Sequence, residues 1–349
     1  MFAIFTSLSQ VRAMTINPVF DISITSDPQA NTIEAEIISA ISVYESTFSD
    51  PITVTINFRE QSTGLGNSGY PTLQFSYTSY IAALTSHATT ADDATALAHL
   101  PNGGNNPVNN NVNVELHLPL ARALGFNADP GAGNPDGNIA LNTSIMNFTR
   151  TSIDPNKYSL FAVASHEINE VLGFSSILNG ATNGAPTPTG AVEPEDLFRY
   201  NQNGTRSFTT ALNTTAYFSI DGTTDLARFN QQQGGDFADW YSGGGQTPQV
   251  QDAGQTAGST PSLGVELRVL DVIGFHRGTD AVWVDFTFNG FQNGSYTNPY
   301  QTLAAGANAI YAGGLVLIKG PRASVGGMPL TISKAMTLQA VGGEVTIGH

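Results

Sequence analysis

Two rhythms of apolar and polar residues alternate through the first 275 positions. From Pro18, Val19-Phe-Asp-Ile-Ser-Ile24 alternates as a strand would, and Ile52, Val54, Ile56 and Phe58 alternate with Thr53, Thr55 and Asn57, which predicts a half-buried strand. Between them, Ile33, Ile37, Ile41, Tyr44 and Phe48 recur at intervals of three and four, the stripe of an amphipathic helix over 31–49. Gly64 to Tyr70 reads as a loop, 78–100 as helical pieces, and Val112–Leu118 as a strand again. A turn-rich stretch, 129–138, leads into a short strand, Ile139-Ala-Leu-Asn142. Apolar and small residues with few breakers then predict one helix from Lys157 to Leu172, closed by Gly173. Val265 to Phe275 reads as a last helix with Gly274 as its stop. This order predicts an α+β fold, a mixed twisted sheet against two long helices, over residues 17–277.

Two stretches follow other rules. Residues 179–190 are rich in Pro, Gly and Thr, and up to about 260 only short apolar pieces interrupt the polar turns. From Trp283 onward, short apolar strands alternate with glycine: Leu315–Ile318, Leu330–Ile332, Met336–Ala340 and Val345–Ile347. That rhythm resembles the first coils of a right-handed parallel β-helix of the pectate-lyase type, over 280–349. One or two such coils cannot bury their own faces, so a longer natural product is expected.

Net charge is −15 with a pI near 4.5, which disfavours phosphate backbones and anionic lipid and so excludes nucleic acid as an expected partner. Cysteine is absent, removing disulfides, thiolate metal ligands and thiol catalysis together. Few lysines and many Gly, Asn and Thr resemble exported bacterial proteins, so a secreted, extracellular location is expected. The first 16 residues carry a short apolar run without a basic start, a poor or truncated leader. No run elsewhere reaches the length of a membrane span.

The chemistry concentrates in Ser165-His-Glu-Ile-Asn-Glu-Val-Leu-Gly-Phe174, an HExxE motif. On a helix, residues four apart lie on one face roughly 6 Å apart, so His166 and Glu170 can reach one metal ion, while Glu167 points about 100° away. The layout is that of HExxH zinc peptidases with Glu in place of the second His.

Element order and motif together resemble the zincin metallopeptidases, and more narrowly the metzincin-like secreted bacterial metalloproteases. Gly173 falls on the glycine of the HExxHxxGxxH pattern, and Ile139–Asn142 sits where such enzymes keep a substrate-binding edge strand. Asp196-Leu-Phe-Arg-Tyr200 and Tyr217-Phe-Ser-Ile-Asp-Gly222 look like signatures of a subfamily whose helix also carries Glu at the second ligand position. Three departures stand out: Glu170 replaces the second His, Ser176 occupies the place of the third, and no methionine between Gly173 and Met328 forms a Met-turn.

Zinc accepts carboxylate oxygen at about the same distance as imidazole nitrogen, so one His and two carboxylates can complete an open catalytic site. His166 and Glu170 supply two ligands. Asp196 is the expected third, framed by Leu197 and Phe198, with Glu195, Glu193 and His276 as rivals. Glu167 would be the general base, and Arg199, Tyr200 or Tyr217 would stabilise the oxyanion. Asp221, Asp225, Asp236 and Asp239 lie in turns where aspartate serves the backbone, with a structural Ca2+ as the other reading. The other histidines, His87, His99, His117, His276 and His349, show no spacing signal. The expected activity is zinc-dependent endopeptidase cleavage of protein or peptide substrate. The alternative is an inactive surface protein in which a decayed peptidase domain and the tail serve adhesion.

Overall fold

In the computed structural model, residues 14–179, 182–232, 235–277, 281–290, 292, 294, 296, 298–310, 314–323, 332 and 336–347 are described. The chain divides into two units, residues 1–276 and 277–349. The leader residues up to 13, Leu330 and Thr331 of the expected tail strand, and His349 lie outside the described residues.

In the first unit, strand β1 (Thr15–Phe20) ends earlier than the alternation through Ile24 predicts. The Asp21 carboxylate accepts the Ser23 N–H at 2.8 Å and turns the chain into a short helix, α1 (Ile22–Thr25). Helix α2 (Ala30–Thr47) buries Ile33, Ile37, Ile41 and Tyr44, the stripe written in the sequence. Strand β2 (Thr53–Glu60) returns parallel to β1 and puts Val54, Ile56 and Phe58 inside. The stretch Gly64–Tyr70 is not simply a loop, because it contains strand β3 (Gly66–Gly69). Glycines and polar residues give β3 no alternation; backbone pairing alone makes it a strand.

Strands β4 (Thr72–Ser76) and β5 (Asn113–His117) form an antiparallel ribbon, with α3 (Tyr77–His87) and α4 (Ala91–His99) between them and α5 (Leu118–Ala123) after. Strand β6 (Gly137–Leu141) then pairs parallel with β2 and antiparallel with β3, giving the order β1-β2-β6-β3. The segment Ile139–Asn142 is therefore interior, and β3 is the edge.

A two-residue pairing of β7 (Met146–Asn147) with β8 (Tyr158–Ser159) delays the next helix, and the Ser159 side chain accepts the Ala162 N–H at 3.2 Å as its cap. Helix α6 therefore runs from Leu160 to Leu172, three residues later than the expected start at Lys157. It stops at Gly173, whose φ of 129° favours glycine and whose N–H donates to the Asn169 and Glu170 carbonyls. α6 packs on α2, β3 and β6. Beyond it lie a small antiparallel sheet of β9 (Arg199–Tyr200), β10 (Tyr217–Phe218) and β11 (Ala227–Arg228), and helix α7 (Val265–Ile273). Residues from all these regions share one apolar core, among them Tyr44, Phe58, Ile139, Ile168, Phe174, Phe218, Trp240 and Leu270. The first unit is thus a mixed α+β fold.

In the second unit, β12 (Ala281–Val284), helix α8 (Leu303–Ala309), β13 (Leu315–Lys319), β14 (Arg322–Ala323), β15 (Thr337–Val341) and β16 (Val345–Thr346) follow in order. β12, β13 and β15 lie parallel in one sheet, and β14 pairs parallel with β16. Val284, Phe286, Leu303, Ile310, Val316 and Ile318 form a separate small core, to which α8, unforeseen in the strand rhythm, contributes. No described helix is long and apolar enough to cross a membrane.

Candidate metal centre

α6 delivers His166, Glu167 and Glu170 to a cleft of about 500 Å³, beneath the edge strand β3. His166 is fixed from behind: its Nδ1 lies 3.1 Å from the Val250 carbonyl oxygen, so the proton on that nitrogen is donated there and Nε2 faces the cleft. Nε2 sits 3.3 Å from Glu170 Oε1 and 3.4 Å from Asp239 Oδ1. One ligand atom from each of the three residues lies within 4.8 Å of the other two.

The third carboxylate is Asp239, from the Gly235-Asp-Phe-Ala-Asp-Trp240 turn, and the expected Asp196 is elsewhere. Asp196 is buried with its oxygens already taken: Oδ1 accepts the Ser176 hydroxyl at 2.5 Å, and Oδ2 accepts the N–H groups of Glu193 at 3.2 Å and Ile177 at 3.3 Å. It ties the segment after α6 to the 194–198 turn, and burial pushes its pKa up to about 7. Of the rivals, Glu193 faces His117 at 3.5 Å, and Glu195, which is buried, and His276, whose backbone N–H donates to Asp50, are both outside the donor cluster.

Arg199 and Tyr200 do not line the cleft. Arg199 is a buried clamp: Nη1 donates to the Phe237 carbonyl at 2.6 Å, Nη2 to Gln231 Oε1 at 2.7 Å, and the guanidinium covers the Phe229 ring at 4.2 Å. It thereby fixes the loop that carries Asp239, a positioning task in place of the expected oxyanion role. Tyr200 is buried under Arg206, and the Tyr217 hydroxyl accepts from Gln202. No three of the turn aspartates named in the calcium reading form a donor cluster among the described residues. Asp221 takes the N–H groups of Thr223 and Thr224, while Asp236 and Asp239 belong to the cleft.

A relay of hydrogen bonds sets Asp239 in place. Its Oδ1 accepts from Gln251 Nε2 at 3.0 Å, Gln251 Oε1 accepts from Asn169 Nδ2 at 2.8 Å, and Asn169 Oδ1 lies 2.7 Å from the Tyr44 hydroxyl. That hydroxyl also lies 2.8 Å from the Ser165 carbonyl oxygen, so its one proton is shared between groups one turn apart on α6. Glu266 adds a second anchor by accepting from Gln251 N and Trp240 Nε1, each at 3.2 Å.

β3 contributes two features the sequence concealed. The Ser68 hydroxyl donates to Glu170 Oε2, leaving Oε1 toward His166. Gly66 lies so close to Glu167 that a Cβ there would fall 2.2 Å from Oε1. Glu167 is buried beneath it, and burial, then the neighbouring Glu170 charge, push its pKa well above the ordinary carboxylate value. Burial pulls the His166 pKa down, but Asp239 and Glu170 more than offset this and hold it well above its usual value. Burial likewise raises Glu170, and here the hydrogen bonds from His166 and Ser68 win, leaving it below its ordinary value.

The three side chains could hold a metal ion. Donors at about 2.0–2.1 Å from a tetrahedral zinc lie about 3.3–3.4 Å from one another, the separation His166 Nε2 keeps from both carboxylates. Comparison with protein-family models, curated proteins and solved structures found no match to this chain. Asp239 was hidden in sequence because its turn is glycine-rich. The adjacent Trp240 is fully buried, which the fold shows and local sequence does not.

Proposed function

We propose that the chain is a secreted, zinc-dependent endopeptidase of the zincin kind, with His166, Glu170 and Asp239 as the metal ligands and Glu167 as general base. The observation that carries this reading is the convergence of one imidazole and two carboxylates, their ligand atoms all within 4.8 Å of one another, with Glu167 one residue from the first ligand in the same cleft. Zinc, when bound, supplies Lewis acidity that acidifies water and polarises a carbonyl.

The protein's own residues do the rest. Val250 holds the His166 ring and its tautomer; Gln251, Asn169 and Tyr44 hold Asp239. The Glu167 carboxylate takes a proton from the attacking water and returns it to the leaving amine nitrogen, a cycle suited to a buried carboxyl whose pKa lies above the ordinary range. β3, the last strand of its sheet, lines the cleft through Gly66, Asn67 and Ser68. An extended substrate that adds to its outer edge would lie across the metal ligands. The parallel pairing of β12, β13 and β15 supports reading the second unit as β-helix coils.

Elemental analysis of the purified chain is expected to give one zinc per molecule, with proteolysis that chelator abolishes and zinc restores. Glu167→Gln should keep the metal and lower cleavage by about 10²- to 10⁴-fold. A chain that takes up no metal at pH 8 ends this reading. Unchanged function in Glu167→Gln would favour the adhesion alternative.

A further inference from the structure

Five carboxylates line the cleft: Glu167, Glu170, Asp236, Asp239 and Asp252. Among the described lining residues there is no lysine or arginine. With Glu170 and Asp239 as ligands and Glu167 as base, Asp236 and Asp252 remain without a part in the reaction. Neither is a ligand substitute, since the three-residue donor cluster does not include them.

Asp252 is the more telling of the two. Only 3% of it is exposed; Oδ2 accepts the Gln249 N–H at 2.9 Å, while Oδ1 is buried with no hydrogen-bond partner. A carboxylate oxygen kept from water without a donor is destabilising, and a donor brought by a ligand removes that cost. Asp236 accepts through Oδ1 the N–H of Ala238 within its own turn, at 2.7 Å. The buried arginine whose charge reaches Asp236 is Arg199, and its guanidinium is committed to Phe237 and Gln231. After the metal ligands are discounted, the described cleft wall keeps two further carboxyl groups and no basic side chain to offset them. A low-dielectric cleft strengthens attraction for an entering cation.

We propose that the cleft selects polypeptides that present a lysine or arginine side chain beside the cleaved bond, with Asp252 as the main acceptor of that charge and Asp236 as its second. The proposal rests on the peptidase reading above and names its substrate class. It makes Asp252 a specificity-determining residue, which a purely structural aspartate holding Gln249 would not be.

The test uses the full chain as Glu167→Gln, loaded with zinc at pH 8, so that binding is read without turnover. Two N-acetylated, C-amidated peptide libraries, identical but for a central lysine in one and glutamine in the other, are titrated by fluorescence anisotropy. The lysine library is expected to bind at least about tenfold more tightly. Adding Asp252→Asn should bring the two within about twofold, and Asp236→Asn should shrink the difference less, with the zinc content of each variant as the check that the site is intact.

Equal binding of the two libraries overturns the proposal, as does a lysine preference that survives both substitutions. Tighter binding of an unacetylated glutamine library than of the acetylated lysine one also overturns it, because the cleft would then be reading a free α-amine. Failure of the hydrolase reading shows separately, as absence of cleavage by the zinc-loaded wild-type chain. Cleavage of casein at sites without basic neighbours would sink the charge selection alone.

Discussion

Asp239 and Asp196 are both buried aspartates, yet one turns toward His166 an oxygen that a single Gln251 N–H steadies, while the other has spent its oxygens on Ser176 and two backbone N–H groups. Substituting them should separate metal binding from stability. Asp239→Ala is expected to abolish zinc uptake, whereas Asp196→Ala should keep one zinc per chain and lower stability by about 1–3 kcal/mol, read by elemental analysis and denaturant unfolding. Protons should follow the metal. His166, held well above its usual pKa by Asp239 and Glu170, carries a proton in the metal-free chain that a metal must displace, and Asp239, raised by burial to about 7, takes one up as pH falls through neutrality. Both protons oppose a cation, so zinc affinity should fall on acidification from pH 8 to 6, by about tenfold per pH unit for each proton displaced. A chelator-competition titration showing no pH dependence over that range would contradict these assignments.

At the scale of elements, α6 is pinned between α2 and β3, and each side can be tested alone. Gly66→Ala would drive a Cβ into Glu167, so cleavage should collapse with zinc retained, while Gly69→Ala on the same strand meets nothing within 4 Å and should leave cleavage near wild type. On the other side, Tyr44→Phe removes the hydroxyl shared by Ser165 and Asn169 and should cost about 1–3 kcal/mol. A melting temperature unchanged from wild type would show that the hydroxyl carries no weight. Gln251→Ala breaks the relay behind Asp239 without touching a ligand, and is expected to weaken zinc binding about 10- to 100-fold.

For the whole molecule, two cores without shared residues imply two units that fold on separate apolar clusters. A chain ending at Arg277 should therefore take up one zinc and cleave the same peptides. Loss of metal binding on that truncation would show that the second unit supports the first. The net charge of −15 belongs to this scale as well, and association with cationic substrates is expected to slow as salt rises.

The strands and helices with a strong period were legible one by one: the stripe of α2, the alternation of β2, the α6 motif and the glycines that end α6 and α7 are all local patterns. Local order also placed His166 and Glu170 on one helical face, since that follows from residues four apart. What needed the fold was every partner distant in sequence. β3 is a strand because β6 lies beside it, although its residues carry no strand preference. Asp239 faces His166 because Gln251, Trp240 and Arg199 bring a glycine-rich turn back over α6, and their bonds join segments far beyond the motif in sequence, from Arg199 to Glu266. Periodicity reports which side of an element is buried; which carboxylate meets the imidazole is decided by packing.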